Sequence, residues 1–171
     1  MSMNVDFTFD NVTYRHFMNG FGSVLHCHHY MCLTAKLAED LTDVEGPRIL
    51  RESFEDSIRP LLDDYFEKNK VSSPEERLKI GEEYFAVMGL GRLAVTGNVQ
   101  GGEVRILRSH VDEGWIKKWG KHSVPINHLA CGYAAALFAA TFGNPPRSYA
   151  VTETISIAMG EPEGKLVVAP A

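Results

Sequence analysis

The feature that most constrains this chain is residues 126–142, an Ala-rich run with Leu and Phe, closed by Gly143 and Pro145-Pro146. A helix apolar on every side has no face to offer water, so the rest of the chain must cover it. Its most apolar part, Leu129 to Phe142, falls short of the roughly 18–20 residues a membrane span needs and is interrupted by Gly132 and Tyr133. The segment therefore reads as a buried helix of a globular domain. A whole-chain composition of 44% hydrophobic and 23% charged residues is the usual mix for such a domain, and 171 residues suit one domain.

The elements on either side can be read from periodicity. Residues 5–9 alternate apolar and polar, which predicts a short strand or docking arm. Ser23 to about Leu41 predicts the first helix, with Leu25, His28, Cys32, Ala35 and Ala38 on one face. Pro47 starts a second helix to about Phe66, with a possible kink at Arg59-Pro60. Ser73-Pro74-Glu75-Glu76 is a capping box opening a third helix to about Met88. Residues 92–98 and 103–109 alternate around Gln100-Gly101-Gly102 as a hairpin. A short helix over Glu113 to Trp119 comes next, then the buried helix, then strands at about 148–157 and 164–169 joined by Met159-Gly160-Glu161-Pro162. Helices first, with hairpins flanking a later helix, predict the α+β class: N-terminal helices packed on an antiparallel sheet. Residues 1–46 would form an arm and first helix, and 49–168 the core of a single domain.

Charge and termini narrow the function. Seventeen Lys and Arg against 22 Asp and Glu give a net charge of −5 with no dense basic block, which argues against a nucleic-acid partner. The N-terminus lacks the basic start and apolar core of a signal peptide, so a cytoplasmic location is expected. Three cysteines at 27, 32 and 131 make no disulfide framework and leave buried thiols, metal ligands or reactive groups. Gly89-Leu90-Gly91 and Gly101-Gly102 lack the strand-to-helix setting and the following Lys-Ser/Thr of a phosphate loop, so no nucleotide cofactor is expected.

The unusual run is His26-Cys27-His28-His29-Tyr30-Met31-Cys32, with three of the seven histidines and two of the three cysteines. On a helix His28 and Cys32 share a face, with His26 and His29 on a neighbouring one. His128 and Cys131 form a second pair three apart. If the two helices packed together, the pairs could close on zinc, iron or copper. The alternatives are locally satisfied histidines with Cys32 and Cys131 as small buried hydrophobes, or a His-activated thiol. Glu153 lies in an otherwise apolar and hydroxyl-bearing strand. Pointing inward, it would need a cation, a metal or a hydrogen-bonded ligand; pointing outward, only water. His110 is ambiguous in the same way, and Trp115 with Trp119 reads as an apolar lid rather than a stacking platform.

From about Ile49 to Val168 the chain resembles the 4-vinyl reductase, or hydrocarbon-binding, domain family. The match rests on Pro125-Ile126-Asn127-His128-Leu129-Ala130-Cys131-Gly132-Tyr133 and on Glu153-Thr154-Ile155-Ser156-Ile157-Ala158-Met159-Gly160-Glu161-Pro162. That family resembles in fold the ligand-binding domains of haem-based nitric-oxide sensors and of TRAPP-like vesicle-tethering subunits. The resemblance implies an α+β sandwich around an internal apolar cavity, often in a homodimer. Relatives that include phenol-sensing domains carry a structural zinc on three Cys and one Glu. Here the Glu matches Glu153, while the Cys positions fall on Asn127, Ser156 and Gly164, which supply no thiolate. The family's ligand-contacting aromatic falls near His110.

Two functions follow as expectations. The first is a binding module holding a small hydrophobic or aromatic ligand, in the limit a tetrapyrrole or a haem-like cofactor, against His110, Trp115, Tyr133 and Glu153. The second is an enzyme with a transition metal on His26, His28, His29, Cys32, His128 and Cys131, where Tyr30 or Glu153 moves protons.

Overall fold

The computed structural model describes residues 3–24 and 27–171. The chain begins with a three-stranded antiparallel meander, β1 (Phe7–Asp10), β2 (Arg15–Met18) and β3 (Phe21–Ser23). Three helices follow: α1 (His28–Asp40), α2 (Gly46–Lys68) and α3 (Pro74–Val87). The hairpin β4 (Gly91–Asn98) and β5 (Gly101–Ser109) leads to α4 (His110–Trp119), α5 (His128–Phe142), β6 (Tyr149–Ile155) and β7 (Gly164–Pro170). The second sheet is antiparallel throughout in the order β4-β5-β7-β6, so the class is α+β as the sequence predicts.

Segment 126–142 behaves as its composition requires. All of α5 but Phe142 is buried, held between the sheet on one side and α2 with α3 on the other. Gly132 makes the closest helix approach: a β-carbon there would lie 2.3 Å from the Arg51 carbonyl oxygen of α2. Gly81 of α3 likewise leaves room for the Leu137 side chain, and its carbonyl accepts the Tyr133 hydroxyl at 2.6 Å. The inward face of the sheet, Leu93, Val95, Val104, Ile106, Leu166 and Val168, completes the core.

Local signals place most boundaries. Ser73 caps α3 by accepting the Glu76 N–H at 3.1 Å, and Asn127 caps α5 by accepting the Ala130 N–H at 3.0 Å. α2 runs through Pro60 without interruption. α4 starts three residues before the expected Glu113, because Ser109 at the end of β5 is its cap. The first helix differs most. It begins at His28, not Ser23, since Phe21–Ser23 pair with Met18–His16 as a strand. Strands β2 and β3 have no counterpart in the sequence reading. No helix among the described residues is long and apolar enough to cross a membrane.

Candidate functional site

Three features contain the residues singled out by chemistry. The first is a buried polar network at the junction of β5, α4, α5 and β6. Asp112, fully buried on α4, is its centre. Its Oδ1 accepts from the Ser156 hydroxyl at 3.4 Å and the Ala158 N–H at 3.2 Å. Its Oδ2 accepts from the Ser109 hydroxyl and from Asn127 Nδ2. Glu153 points inward and its Oε2 accepts the Asn127 N–H at 3.0 Å, while its Oε1 is buried with no hydrogen-bond partner among the described residues. Burial, and then the charge on nearby Asp112, push the Glu153 carboxyl up to about 7. Burial also raises Asp112, against the hydrogen bonds from Ser109 and Asn127.

This network bears on the zinc that the family resemblance suggests. Of the positions expected to carry its ligands, Glu153, Asn127 and Ser156 meet around Asp112, but the polar atoms of Asn127 and Ser156 are already committed there, and Gly164 packs against Ile106. Asn127 spends Oδ1 on the α5 cap and Nδ2 on Ser109 and Asp112, Ser156 donates to Asp112, and Gly164 has no side chain. Two carboxyls, with all the oxygens of Asp112 taken by neutral donors and one oxygen of Glu153 taken by the Asn127 N–H, stand where thiolates would surround a cation, and this donor set does not fit zinc.

The second feature concerns the histidines and cysteines. His26 lies outside the described residues. The His28 ring lies against His29 at 4.2 Å between centroids and edge-on to His110 at 5.7 Å, where α1 meets α4. Its Nε2 is buried and meets no hydrogen-bond partner among the described residues. The charge of His28, above all, lowers the pKa of His29. Cys32 is buried and donates to the His29 carbonyl at 3.3 Å, and burial raises its pKa. Cys131 is buried in α5, with its thiol pushed up to about 12. Neither thiol has the lowered pKa that a nucleophile needs.

His128 has both ring nitrogens engaged. Arg51 Nε donates to Nδ1 at 3.2 Å, which leaves the proton on Nε2, and Nε2 donates to Glu39 at 2.5 Å. Burial lowers the His128 pKa, consistent with this neutral tautomer, although the Glu39 contact acts the other way. The expected convergence of His28, Cys32, His128 and Cys131 on one point is thus not what the side chains do: His128 bridges α1 and α2. Among the described residues no three of His, Cys, Asp or Glu gather as a metal site would require.

The third feature is the space open to a ligand. The interior between helices and sheet, where a cavity was expected, is filled by Tyr133, Leu137 and Phe138, all fully buried. Trp115 is also buried, packed on Trp119 at 4.8 Å and edge-on to His122 at 5.0 Å. An open groove of about 920 Å³ lies between the start of α3 and the edge strand β4. Val71, Leu78, Ile80, Val95 and Phe142 contribute its apolar wall, and Lys70, Lys79 and Glu82 its polar rim. Glu82 is held in place by the Val95 N–H of β4 at 2.8 Å and by Lys79. None of His110, Trp115, Tyr133 and Glu153 lines it. Tyr30, the other proton-transfer candidate, lies 62% exposed on α1, whereas Glu153 is buried inside the network. The groove was not legible in the sequence, because its wall is drawn from α3, β4 and the ends of α2 and α5.

The fold defined by these elements is the vinyl-4-reductase-like fold. One similar solved structure is the phenol-responsive sensory domain of the transcription activator PoxR with phenol. Its TM-score is 0.74 at 16% identity, over 96% of this chain and 84% of that one. Another is a vinyl-4-reductase family protein from Methanocaldococcus jannaschii, with a TM-score of 0.51 at 14% identity over 71% of this chain and 68% of that one. At these identities the likeness is one of fold. The first extends well outside residues 49–168 and so takes in elements of the N-terminal part. No family model and no curated protein matches the sequence.

Proposed function

We propose that this chain is a small-molecule-binding protein that takes a small hydrophobic or aromatic ligand in the groove between α3 and β4, and that it works as a homodimer. The observation that carries the ligand reading is the groove itself. At about 920 Å³, it lies in the size range of small-molecule sites, with an apolar wall and a few fixed polar groups on its rim. The shared fold with a domain that responds to phenol supports a ring-sized ligand. Lys79 and Glu82 on the rim can donate to and accept from a ligand hydroxyl while the ring lies on Val71, Leu78 and Ile80. The metal-dependent alternative on α1 has no comparable support, since His128 is engaged at both nitrogens and Cys131 is a buried, neutral thiol.

The test uses phenol as the probe. Saturation-transfer NMR should show transfer from the protein to phenol, and this should be lost in Thr96→Trp, where an indole on the exposed groove side of β4 occupies the space. Transfer that survives Thr96→Trp, or none with the unaltered chain, would overturn the assignment.

A further inference from the structure

A second groove, of about 390 Å³, runs between α2 and β6, the other edge strand of the four-stranded sheet. Its floor is small and apolar, with Gly132 and Ala135 of α5 beside Val151 of β6. Its charged lining is Arg48, Arg51, Glu52 and Glu55 of α2 and Arg147 just before β6. The two acids are already engaged. Both Glu52 oxygens accept from Arg48, at 2.9 and 3.1 Å. One Glu55 oxygen accepts the Arg147 N–H at 2.8 Å and the other pairs with the Arg147 guanidinium at 3.1 Å. Glu45 and Asp56 hold the same two arginines from outside the groove. Arg51 is left as the groove's cation that pairs with no carboxylate among the described residues.

Its guanidinium is nonetheless fixed. Nε donates to His128 Nδ1 at 3.2 Å, and Nη1 reaches the Val151 carbonyl at 3.5 Å. His128 accepts there because its own proton sits on Nε2, where Glu39 holds it. A chain of contacts from α1 through α5 to α2 thus orients the guanidinium. Nη2 meets no acceptor among the described residues and is open to the groove. An oriented, partly buried guanidinium without an anion offers the paired N–H donors that a carboxylate accepts in bidentate fashion. The neighbouring acids set the charge that can enter. One carboxylate balances Arg51, whereas a dianion would set a second negative charge against Glu52 and Glu55.

We propose that the α2–β6 groove binds a small organic monocarboxylate, with its carboxylate on the Arg51 guanidinium and its hydrocarbon on Gly132, Ala135 and Val151. Its volume lies within the range of small-molecule sites. The groove shares no lining residue with the one between α3 and β4, so the site stands apart from the phenol reading.

Sodium benzoate is the probe, titrated into the isotope-labelled chain at constant ionic strength and followed by two-dimensional NMR. Saturable shifts are expected at the Arg51 Nε–H and at the amides of Gly132, Val151 and Thr152. Benzamide, which has the same shape without the charge, should bind there weaker by about tenfold or more. The benzoate shifts should persist in Thr96→Trp, which blocks the other groove. Arg51→Gln should weaken benzoate binding by about tenfold or more. Because that change also removes the His128 contact, Thr152→Trp serves as a second variant: it fills the groove from an exposed position of β6 and leaves Arg51 and His128 as they are. Binding should be lost in it as well. Absence of shifts, shifts confined to the α3–β4 groove, benzamide binding as tightly as benzoate, or undiminished binding in Thr152→Trp or in folded Arg51→Gln would overturn the site. Inorganic phosphate producing the same shifts at equal concentration would overturn the choice of a monocarboxylate.

Discussion

At the scale of single residues, the arrangement around Asp112 and Glu153 ties the buried network to pH. Two carboxyls share a buried space, one receiving four donors and the other leaving Oε1 without a partner among the described residues. The Glu153 pKa rises from 4.5 to about 7 on folding, so the folded chain holds that proton more tightly than the unfolded chain. Its stabilising contribution is complete below about pH 4.5 and is lost as pH climbs through about 7, a span worth at most about 3 kcal/mol. Glu153→Gln, which keeps an acceptor for the Asn127 N–H but cannot ionise, should flatten this part of the profile and match or exceed the parent chain in stability at pH about 8. Thermal melts across that range check it; a variant with the parent's slope would rule out Glu153 as the titrating group.

How far this site could be read beforehand follows from reach along the chain. Glu153 stood out in the sequence because a lone acid in an apolar strand demands an explanation. Its direction and its neighbours did not, since Ser109, Asp112, Asn127 and Ser156 are up to 47 positions apart and only the packing of α4 against the β6 end unites them. The His/Cys run shows the opposite outcome. Its density along the chain was plain, yet His128 and Cys32 serve different helix contacts, because local clustering does not determine which side chains share a space.

At the scale of elements, the strongest periodic or capped segments were legible: α2, α3, the β4–β5 hairpin, α5 and the two final strands. The misses are β2, β3 and the start of α1. Strands of only three or four residues are too short for alternation to be detected, and Phe21–Ser23 are strand because they pair with β2. Gly132 shows how closely the elements are fitted. Gly132→Ala would improve the helix propensity of α5, but its β-carbon would fall 2.3 Å from the Arg51 carbonyl oxygen, and backbone there cannot swing aside as a side chain can. The expected net result is a loss of about 1–3 kcal/mol, read as a lower urea midpoint. An equal or raised midpoint would show that α2 and α5 can separate without penalty.

At the scale of the molecule, stability is unevenly spread. α5 and the central strand β5 are enclosed, whereas the N-terminal meander leaves Phe7, Val12 and Tyr14 exposed and is tied to the body through residues such as Asn4, whose N–H donates to the Tyr65 hydroxyl at 2.8 Å. Native-state hydrogen exchange should therefore find the slowest amides in α5 and β5, exchanging through global unfolding, and the fastest strand amides in β1–β3. Comparable protection in the meander would mean that it is covered by more than the contacts within one chain.

The sequence by itself determined the class, the buried helix and the acid that needed a partner. Each of these follows from local pattern: an apolar run without a polar face must be enclosed, caps and turns punctuate helices, and a charge in an apolar strand must be satisfied. Only the tertiary structure decided that Asp112 gathers the polar groups, that an open groove lies beside β4 while Trp115 is packed inside, and that the leucines of α1 face outward. Those outcomes depend on which surfaces meet, and the packing of α5 between sheet and helices sets them at once for residues far apart in the chain.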